Sequence, residues 1–467
     1  FGDVALGAGG TLAPGNSIGV LTVGDMSFGP NSILEIEVNA AGASDLIRAG
    51  DVTISGGTVR VLAENGRYRE ATGYRVIEAN SVSGAFTDVT SNLAFLDAGL
   101  TYGPQGVSLT LTRNDLIFSA AAQTLNQAAA ARAFEALPVN HGLRDALIGA
   151  SAQQARAAFD SASGEFHASF LGGGYAALLE SVDVLQERLG ARAARGGADY
   201  WARASGGWGG RAGDGNAANF DYDRSGVLFG ADFNVDGFRL GAALGHGRTH
   251  SEQSERASRG AAEGLDVLLY GAAPLGPFAL SAQLGASERA IVTTRVFAVG
   301  ALTETLRADY EAQSRLAHVR LAYPIALARG AIEPFAGVTY VTVEADAFVE
   351  SGGQGALRVE SNREEVVFTT LGLRGAVDIA RGGRAYGSLG WRSASGDLAP
   401  TIAAAFASDP ATRFSVQGAA FAEHAAVAEA GLVVPIGERG SLEAGYRGHM
   451  GEDVHDHGVM VRFTWRQ

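Results

Sequence analysis

The sequence predicts an all-β fold with a helical linker: a short β-helix-like stem, a helical interval and a twelve-stranded antiparallel transmembrane β-barrel. Three observations predict it. The last stretch, 455–467, alternates two chemistries with a period of two, placing Val459, Val461, Phe463 and Trp465 on one side of an extended strand and Met460, Arg462, Thr464 and Arg466 on the other. Segments with the same alternation recur from Ala198 onward, separated by Gly, Asp, Asn or Pro. No run approaches the ~20 consecutive apolar residues of a spanning helix, so a membrane-spanning reading requires a closed barrel, the other architecture that satisfies every backbone polar group in lipid.

Composition narrows the function classes. Glycine supplies 65 of 467 residues, about twice the usual ~7 %, and proline only 11. A formal net charge of -14 and a pI near 5.1 argue against nucleic acid as a partner, which needs clustered basic residues. The absence of cysteine fits an exported bacterial protein. Phe1-Gly-Asp-Val4 is neither basic nor followed by an apolar core, so the chain reads as the C-terminal part of something longer.

Residues 1–115 hold brief runs such as Ser32–Val38, Asp51–Ile54, Thr58–Leu62 and Gly73–Ile77, separated by turn signals at Ala41-Gly42, Ser55–Gly57 and Asn65-Gly66. Strands this short with no helical period between them suggest a parallel β-helix or a sandwich. A stacked β-helix needs a cap on its last rung, and aromatics thicken toward the end of the region at Tyr74, Phe86, Phe95 and Tyr102.

The stretch Gly10–Gly24, with its Pro14-Gly-Asn-Ser-Ile-Gly19 core, is followed by Leu34–Val38, Ser44–Leu46, Tyr74–Ile77 and Ser83–Phe86. These segments resemble the C-terminal end of autotransporter passenger domains. The resemblance implies a β-helical stem ending in a stable cap that helps draw the passenger across the membrane. Gly15-Asn-Ser-Ile-Gly19 also matches the Gly-x-Ser-x-Gly nucleophile elbow. An elbow needs a strand before it, a helix after it and Asp and His partners further on. Here Val20–Val23 reads as another strand and no histidine precedes His141, so Ser17 is expected in a turn between rungs.

Residues 116–198 change texture to alanine, glutamine, arginine and leucine, all good helix formers. Pro138 and Asn140 interrupt the helical pattern, and Ser151-Ala-Gln-Gln154 has the form of a capping box. From 175 to 195, Leu178, Val182, Leu185 and Leu189 recur at helical spacing, Arg188, Arg192 and Arg195 crowd the end, and Gly196-Gly197 supplies a stop. Arginine near a helix C-terminus is favoured by the macrodipole, and about 21 residues of helix span roughly 31 Å, the thickness of a hydrocarbon core. Placed directly before barrel-like strands, this helix resembles the linker that threads an autotransporter pore.

Residues 199–467 divide into twelve dyad-patterned segments, an even number as bacterial single-chain barrels require. Val227, Phe229, Ala231, Phe233 and Val235 oppose Gly230, Asp232 and Asn234; Ala317, Val319, Leu321, Tyr323 and Ile325 oppose Ser314, His318 and Arg320. Tight connections (235–238, 274–277, 329–330, 381–383 and 437–440) alternate with longer ones around 211–224, 251–261, 297–308, 351–363 and 398–422. Short periplasmic turns and long external loops are the outer-membrane pattern. Arg203, Asp232, Arg320, Arg374, Glu443, Arg447 and Arg462 are expected to line the pore, with the linker entering from the periplasm and the stem exposed at the cell surface.

This region also resembles the autotransporter β-domain over nearly its whole length. The family usually ends on Phe or Trp, read by the barrel-assembly machinery, whereas this chain runs on to Arg466-Gln467. Either a variant signal is tolerated or the role passes to Val461, Phe463 and Trp465. The resemblance implies an outer-membrane translocation unit that exports and anchors its own passenger as a monomer. Its partners are then outer-membrane lipid, the barrel-assembly machinery and periplasmic chaperones, and the passenger itself. It needs no cofactor and performs no catalysis of its own. Alternatives are a surface adhesin using stem and loops, a plain channel, and an esterase using Ser17.

Other chemistry is sparse. His455 and His457 lie two apart at a strand start without further metal ligands, and Glu364-Glu365 and Asp453/Asp456 read as solvated charge at loop ends. Some autotransporters cut their linker through an asparagine in the pore. None occurs between His141 and Ala198, which leaves Asp160 or Asp183 as the substitutes for such a reaction.

Overall fold

The computed structural model describes residues 1–190 and 197–467. They form two compact units, Phe1–Ser163 with Phe297–Glu304, and Gly164–Val296 with Thr305–Gln467.

The first unit begins with eleven strands: β1 (Val4–Leu6), β2 (Thr11–Leu12), β3 (Val20–Thr22), β4 (Met26–Phe28), β5 (Ile33–Val38), β6 (Leu46–Ile54), β7 (Thr58–Ala63), β8 (Ala71–Gly84), β9 (Asp88–Ser91), β10 (Leu96–Gly103) and β11 (Gly106–Arg113). One sheet runs β1-β4-β6-β8 and a second β2-β5-β7-β9, with all pairings along both paths parallel. Val4 lies beside Met26, Met26 beside Val52 and Val52 beside Val82, so each coil of chain stacks on the one before it. This stacking is that of a β-helix and not of a sandwich. Alternation sends Leu34, Ile36 and Val38 into the core, joined from the next coil by Val59 and Val61. Buried Asp45 ties two coils together by accepting hydrogen bonds from the Gly19 and Glu37 amides, both at 2.8 Å.

The stack ends where β8 turns to antiparallel pairing with β11, which pairs in turn with β10. Phe86 packs edge-on against Phe28 at 5.0 Å, and Phe95 against Phe118 at 4.9 Å. The Tyr102 hydroxyl accepts from the Phe86 amide at 2.9 Å and the Tyr74 hydroxyl donates to the Asn39 carbonyl at 2.9 Å. Ser17 is exposed in a bend between β2 and β3, with no helix following it, so the strand-turn-helix context of a nucleophile elbow is missing.

Burial pushes the Tyr74 phenol from its ordinary 10.0 up to about 12, and burial raises Tyr68 as well. A phenol whose folded pKa is raised contributes stability that is complete below pH 10 and fades as pH climbs toward 12. Alkaline titration followed at once by tyrosinate absorbance and circular dichroism is expected to show the stem loosening in that window. Tyr74→Phe should flatten the pH dependence.

Three helices complete this unit, α1 (Leu125–Ala136), α2 (Gly142–Ile148) and α3 (Ala152–Ser163). Ser151 and Gln154 form a reciprocal capping box: the Ser151 amide donates to Gln154 Oε1 at 2.8 Å and the Gln154 amide to Ser151 Oγ at 3.3 Å. Phe134 of α1 stacks on Phe297 at 6.5 Å.

The second unit opens with α4 (Glu165–Gly190), then β12 (Ala198–Arg211), β13 (Phe220–Val235), β14 (Phe238–Gln253), β15 (Ser258–Leu275), β16 (Phe278–Val299), β17 (Leu302–Ala322), β18 (Ile325–Leu327) and β19 (Gly330–Ala345). After β20 (Phe348–Val349) and β21 (Leu357–Val359) come β22 (Asn362–Asp378), β23 (Arg384–Gly396), β24 (Thr401–Phe406), β25 (Phe414–Gln417), β26 (His424–Ile436), β27 (Gly440–Gly451) and β28 (Val454–Arg466). Twelve long strands close a barrel in the order β17-β16-β15-β14-β13-β12-β28-β27-β26-β23-β22-β19, with β19 returning to β17. First and last strands pair from Asp199↔Arg466 to Arg211↔Val454. The little β18 pairs β19 beyond Pro324, and β20, β21, β24 and β25 form a separate four-stranded sheet from the two longest connections.

Three expectations change. The lumen helix begins at Glu165 and not near 175, because Gly164, in the left-handed region at φ 67°, ends α3 and a new helix starts at once. Its first turns hide from periodicity analysis because Phe166, His167, Ser169, Phe170 and Leu171 are buried in succession. The supposed long loop at 297–308 is a tight turn at Gly300-Ala301 between two extended strands. Pairing of β12 with β13 also continues to Arg211↔Phe220 and that of β14 with β15 to Gln253↔Ser258, shortening the connections expected at 211–224 and 251–261.

Parity along the strands separates two surfaces. Leu240, Leu244, Leu265, Leu371, Leu389, Val461 and Phe463 project outward and are exposed. Exposed aromatics flank them: Tyr200, Phe233, Phe238, Phe278, Tyr323 and Trp465 toward the tight-turn end, and Trp208, Tyr340 and Trp391 toward the other. An apolar band between aromatic girdles is what a lipid bilayer selects.

Candidate functional site: the helix-filled lumen

Helix α4 spans 26 residues, roughly 39 Å at 1.5 Å per residue, and is enclosed by the barrel wall. One face is apolar. Tyr175, Leu178, Leu179 and Val182 pack on Leu316, Val341, Val343, Val366 and Phe368 of the wall, and below them Leu185 joins Trp201, Ala243, Leu268 and Tyr270. Leu189 packs partly buried against this lower cluster.

The other face carries acids at helical spacing, Glu180, Asp183 and Glu187; the first two meet several cations from the wall, and Glu187 meets one beside the wall carboxylate Glu429. Glu180 is 2.7 Å from Arg224, 3.6 Å from Arg447 and 3.7 Å from Arg203. Asp183 pairs with Arg392 at 3.0 Å, His449 at 3.2 Å and Arg447 at 3.7 Å. Glu187 lies 3.9 Å from Arg462. The wall arginines are themselves held from behind: Asp456 pairs with Arg224 and accepts from Tyr222 at 2.7 Å, while Glu443 pairs with Arg462 and accepts from Tyr386 at 2.6 Å.

At the tight-turn end the polarity reverses. Arg188 donates to Asp232 and Asp199, both at 2.8 Å, and Arg239 bridges the same two carboxylates at 2.7 and 3.3 Å while donating to the Arg188 carbonyl at 2.8 Å. Tyr270 donates to Asp232 at 3.0 Å and accepts from the Trp201 indole at 2.9 Å. A cation in the last turn and Glu165 in the first both suit the helix dipole. Glu165 accepts from Arg256 and from the Ala218 amide, each at 2.9 Å. Nearby, Glu350 joins His167 at 2.9 Å to Arg295 at 2.6 Å.

Of the wall residues singled out by parity, Arg203, Asp232, Arg320, Glu443, Arg447 and Arg462 are buried in the lumen. Arg320 reaches Gln186 Oε1 at 3.3 Å and Glu333 at 2.8 Å; Arg374, half-buried, donates to the Gln186 carbonyl at 3.3 Å. Arg192 and Arg195 lie outside the described residues. The helix leaves little open space: a cavity of about 50 Å³ remains between Asp183, Gln186 and Glu187 and the wall at His318, Arg320 and Arg392.

Sequence reasoning missed Asp199, Arg224, Arg239, Arg392 and Asp456, although parity with Arg203, Asp232 and Arg462 would have found several. The carboxylate pairs expected to be solvated are split by that parity. Asp453 is exposed and Glu365 half-buried, whereas Glu364 is buried and accepts from the Thr401 amide at 3.0 Å, and Asp456 is buried against Arg224. His457 hydrogen-bonds Tyr446 at 2.6 Å and stacks on Trp208. Among the described residues no group of three or more His, Cys, Asp or Glu is arranged to hold a metal ion.

A family model, Autotransporter beta-domain, matches residues 200–447. Two curated relatives named extracellular serine protease, both from Serratia marcescens, are 28 % and 26 % identical over 98 % and 97 % of this chain. The chain spans about half the length of these relatives, 50 % and 49 %. Among solved structures, the translocator domain of autotransporter NalP from Neisseria meningitidis superposes with a TM-score of 0.53 at 13 % identity, covering 63 % of this chain and 97 % of that one. That likeness is one of fold.

Proposed function

The chain belongs to the autotransporter β-domain family and is an outer-membrane translocation unit for a passenger polypeptide, and from that premise we propose how this chain works. The barrel carries the passenger outward, α4 is drawn into the lumen from the periplasm as the last segment to move, and the stem folds at the cell surface. Folding of successive β-helix rungs outside supplies direction without ATP, because a folded coil cannot slip back. The observation that carries this reading is the acidic face of α4, whose Glu180 and Asp183 are met by arginines from β12, β13, β23 and β27. A helix resting by chance in a pore would not meet several wall arginines at two successive acids.

The tight turns face the periplasm in this reading, and Val461, Phe463 and Trp465, exposed on the final strand, serve as the signal for the barrel-assembly machinery after delivery by periplasmic chaperones. One chain suffices, since β12 and β28 close the barrel within it. The segments proposed as modules are stem 1–115, linker 116–198 and barrel 199–467. The relatives' name supports a proteolytic passenger over an adhesive one.

The test is an epitope fused before Phe1 in whole cells. External protease should remove it from intact cells and leave the barrel protected in the membrane. An epitope cleaved only after cell lysis would contradict surface exposure.

A further inference from the structure

Arg211 is the one long cation of β12 that the charge-matching does not use. It is 2 % exposed, and among the described residues no carboxylate pairs with it. Its guanidinium lies between the rings of Phe220, 4.5 Å away, and Phe421, 4.6 Å away. Its nitrogens donate to the carbonyl of Ser169 on α4 and, at 3.0 Å, to that of Ala419, while Nε has no hydrogen-bond partner. A buried arginine held by ring faces and main-chain oxygens grips the helix backbone and not a particular side chain.

The helix answers this grip with Gly172-Gly173-Gly174, three of the poorest helix formers short of proline in consecutive interior positions. A Cβ at Gly172 would stand 2.3 Å from the Arg211 guanidinium and 2.8 Å from the Phe421 ring. In the connection between β25 and β26, a Cβ at Gly418 would stand 2.3 Å from the Ser169 amide nitrogen. Ser169 fastens the same turn, its Oγ accepting from the Ala419 amide at 2.9 Å and from Gln253 at 3.3 Å. Arg211 of β12 and the connection between β25 and β26 therefore close tightly on the helix at the level of Gly172.

We propose that Arg211, clamped between Phe220 and Phe421, is a latch that fixes the register at which α4 comes to rest, by closing on the Cβ-less turn beginning at Gly172. The carboxylate-arginine tiers match charge along much of the lumen, and a slide of one turn would exchange some of those partners for others. The latch closes at one register because Gly172 is the helix position that leaves room for the Arg211 guanidinium and the Phe421 ring to seat. Arg211 is thus a positioning residue for the last step of export. The proposal rests on the reading that α4 moves into the lumen, and the test separates the two.

The chain has no cysteine, so introduced pairs report cleanly. Gln186 and Ser281 side chains touch at 3.0 Å, and Gln186→Cys with Ser281→Cys in the full chain, oxidised in whole cells, reports the resting register. Val182→Cys or Leu189→Cys with Ser281→Cys reports a slide of about one turn either way. With the latch intact, the first pair should form its disulfide at least about tenfold over the others. Adding Gly172→Leu or Arg211→Met should bring the three within about threefold of one another while the barrel still resists unfolding in detergent without heat. Gly172→Ala should lie between. Preference for the 186–281 pair unchanged in Arg211→Met and in Gly172→Leu would overturn the latch. Absence of every one of these disulfides with the latch intact would overturn the reading of α4 itself.

Discussion

Asp232→Ala is expected to destabilise the folded unit by about 3–5 kcal/mol, the range for removing one partner of a buried ion pair. Asp232 stands between Arg188 of the helix and Arg239 of the wall, at 2.8 and 2.7 Å, and accepts from Tyr270. Its loss leaves Asp199 to face two buried guanidinium groups and the Tyr270 hydroxyl with only the more distant Ala231 carbonyl, at 3.5 Å, as acceptor. The temperature at which detergent-solubilised protein loses its compact form should fall well below that of the parent. Asp232→Asn, which keeps acceptor oxygen and shape, should fall less. Combining Asp232→Ala with Arg188→Met should recover part of the loss, since the pair acts as a unit. A double variant costing the sum of Asp232→Ala and Arg188→Met measured singly would mean the two residues are not coupled.

Glu180→Lys should have the larger functional effect. Glu180 is the shared partner of Arg203, Arg224 and Arg447. Reversing its charge converts three attractions into repulsions, each of order 4 kcal/mol for charges ~4 Å apart at an effective dielectric of about 20. Even after relaxation this exceeds the ~1.4 kcal/mol that shifts an equilibrium tenfold. The helix is expected to vacate the middle of the lumen, so planar-bilayer recordings should change from rare openings to a persistently open pore. Glu180→Gln, neutral and of the same shape, should open it only intermittently. A closed pore in Glu180→Lys would show that the apolar face, from Tyr175 to Leu185, holds the plug unaided.

The wall of this barrel was largely legible because a strand repeats every two residues and lipid and lumen ask for opposite chemistries. Once Phe229 and Phe233 are assigned to lipid, Asp232 must face inward, and the same parity extends to Arg224. The acids of α4 were legible in principle, since 180, 183 and 187 share a helical face opposite Leu178, Val182 and Leu185. Which arginine meets which acid was not, because partners such as Asp183 and Arg392 are brought together by barrel register across more than 200 positions. Parity with Arg203 turns Arg211 inward but says nothing of its role: an arginine held by carbonyls and two rings leaves no acidic partner to look for. The upper part of α4 escaped for a related reason. A helix buried all round loses the amphipathic stripe that marks a helix, and three glycines read as a break.

This chain closes into a barrel around its own helix. Electrophoretic mobility of the protein extracted from isolated outer membranes, run with and without boiling, tests it most directly. A compact, faster species before boiling that converts to the full apparent mass on heating is expected in the outer-membrane fraction. A single heat-independent band in the soluble fraction would contradict it.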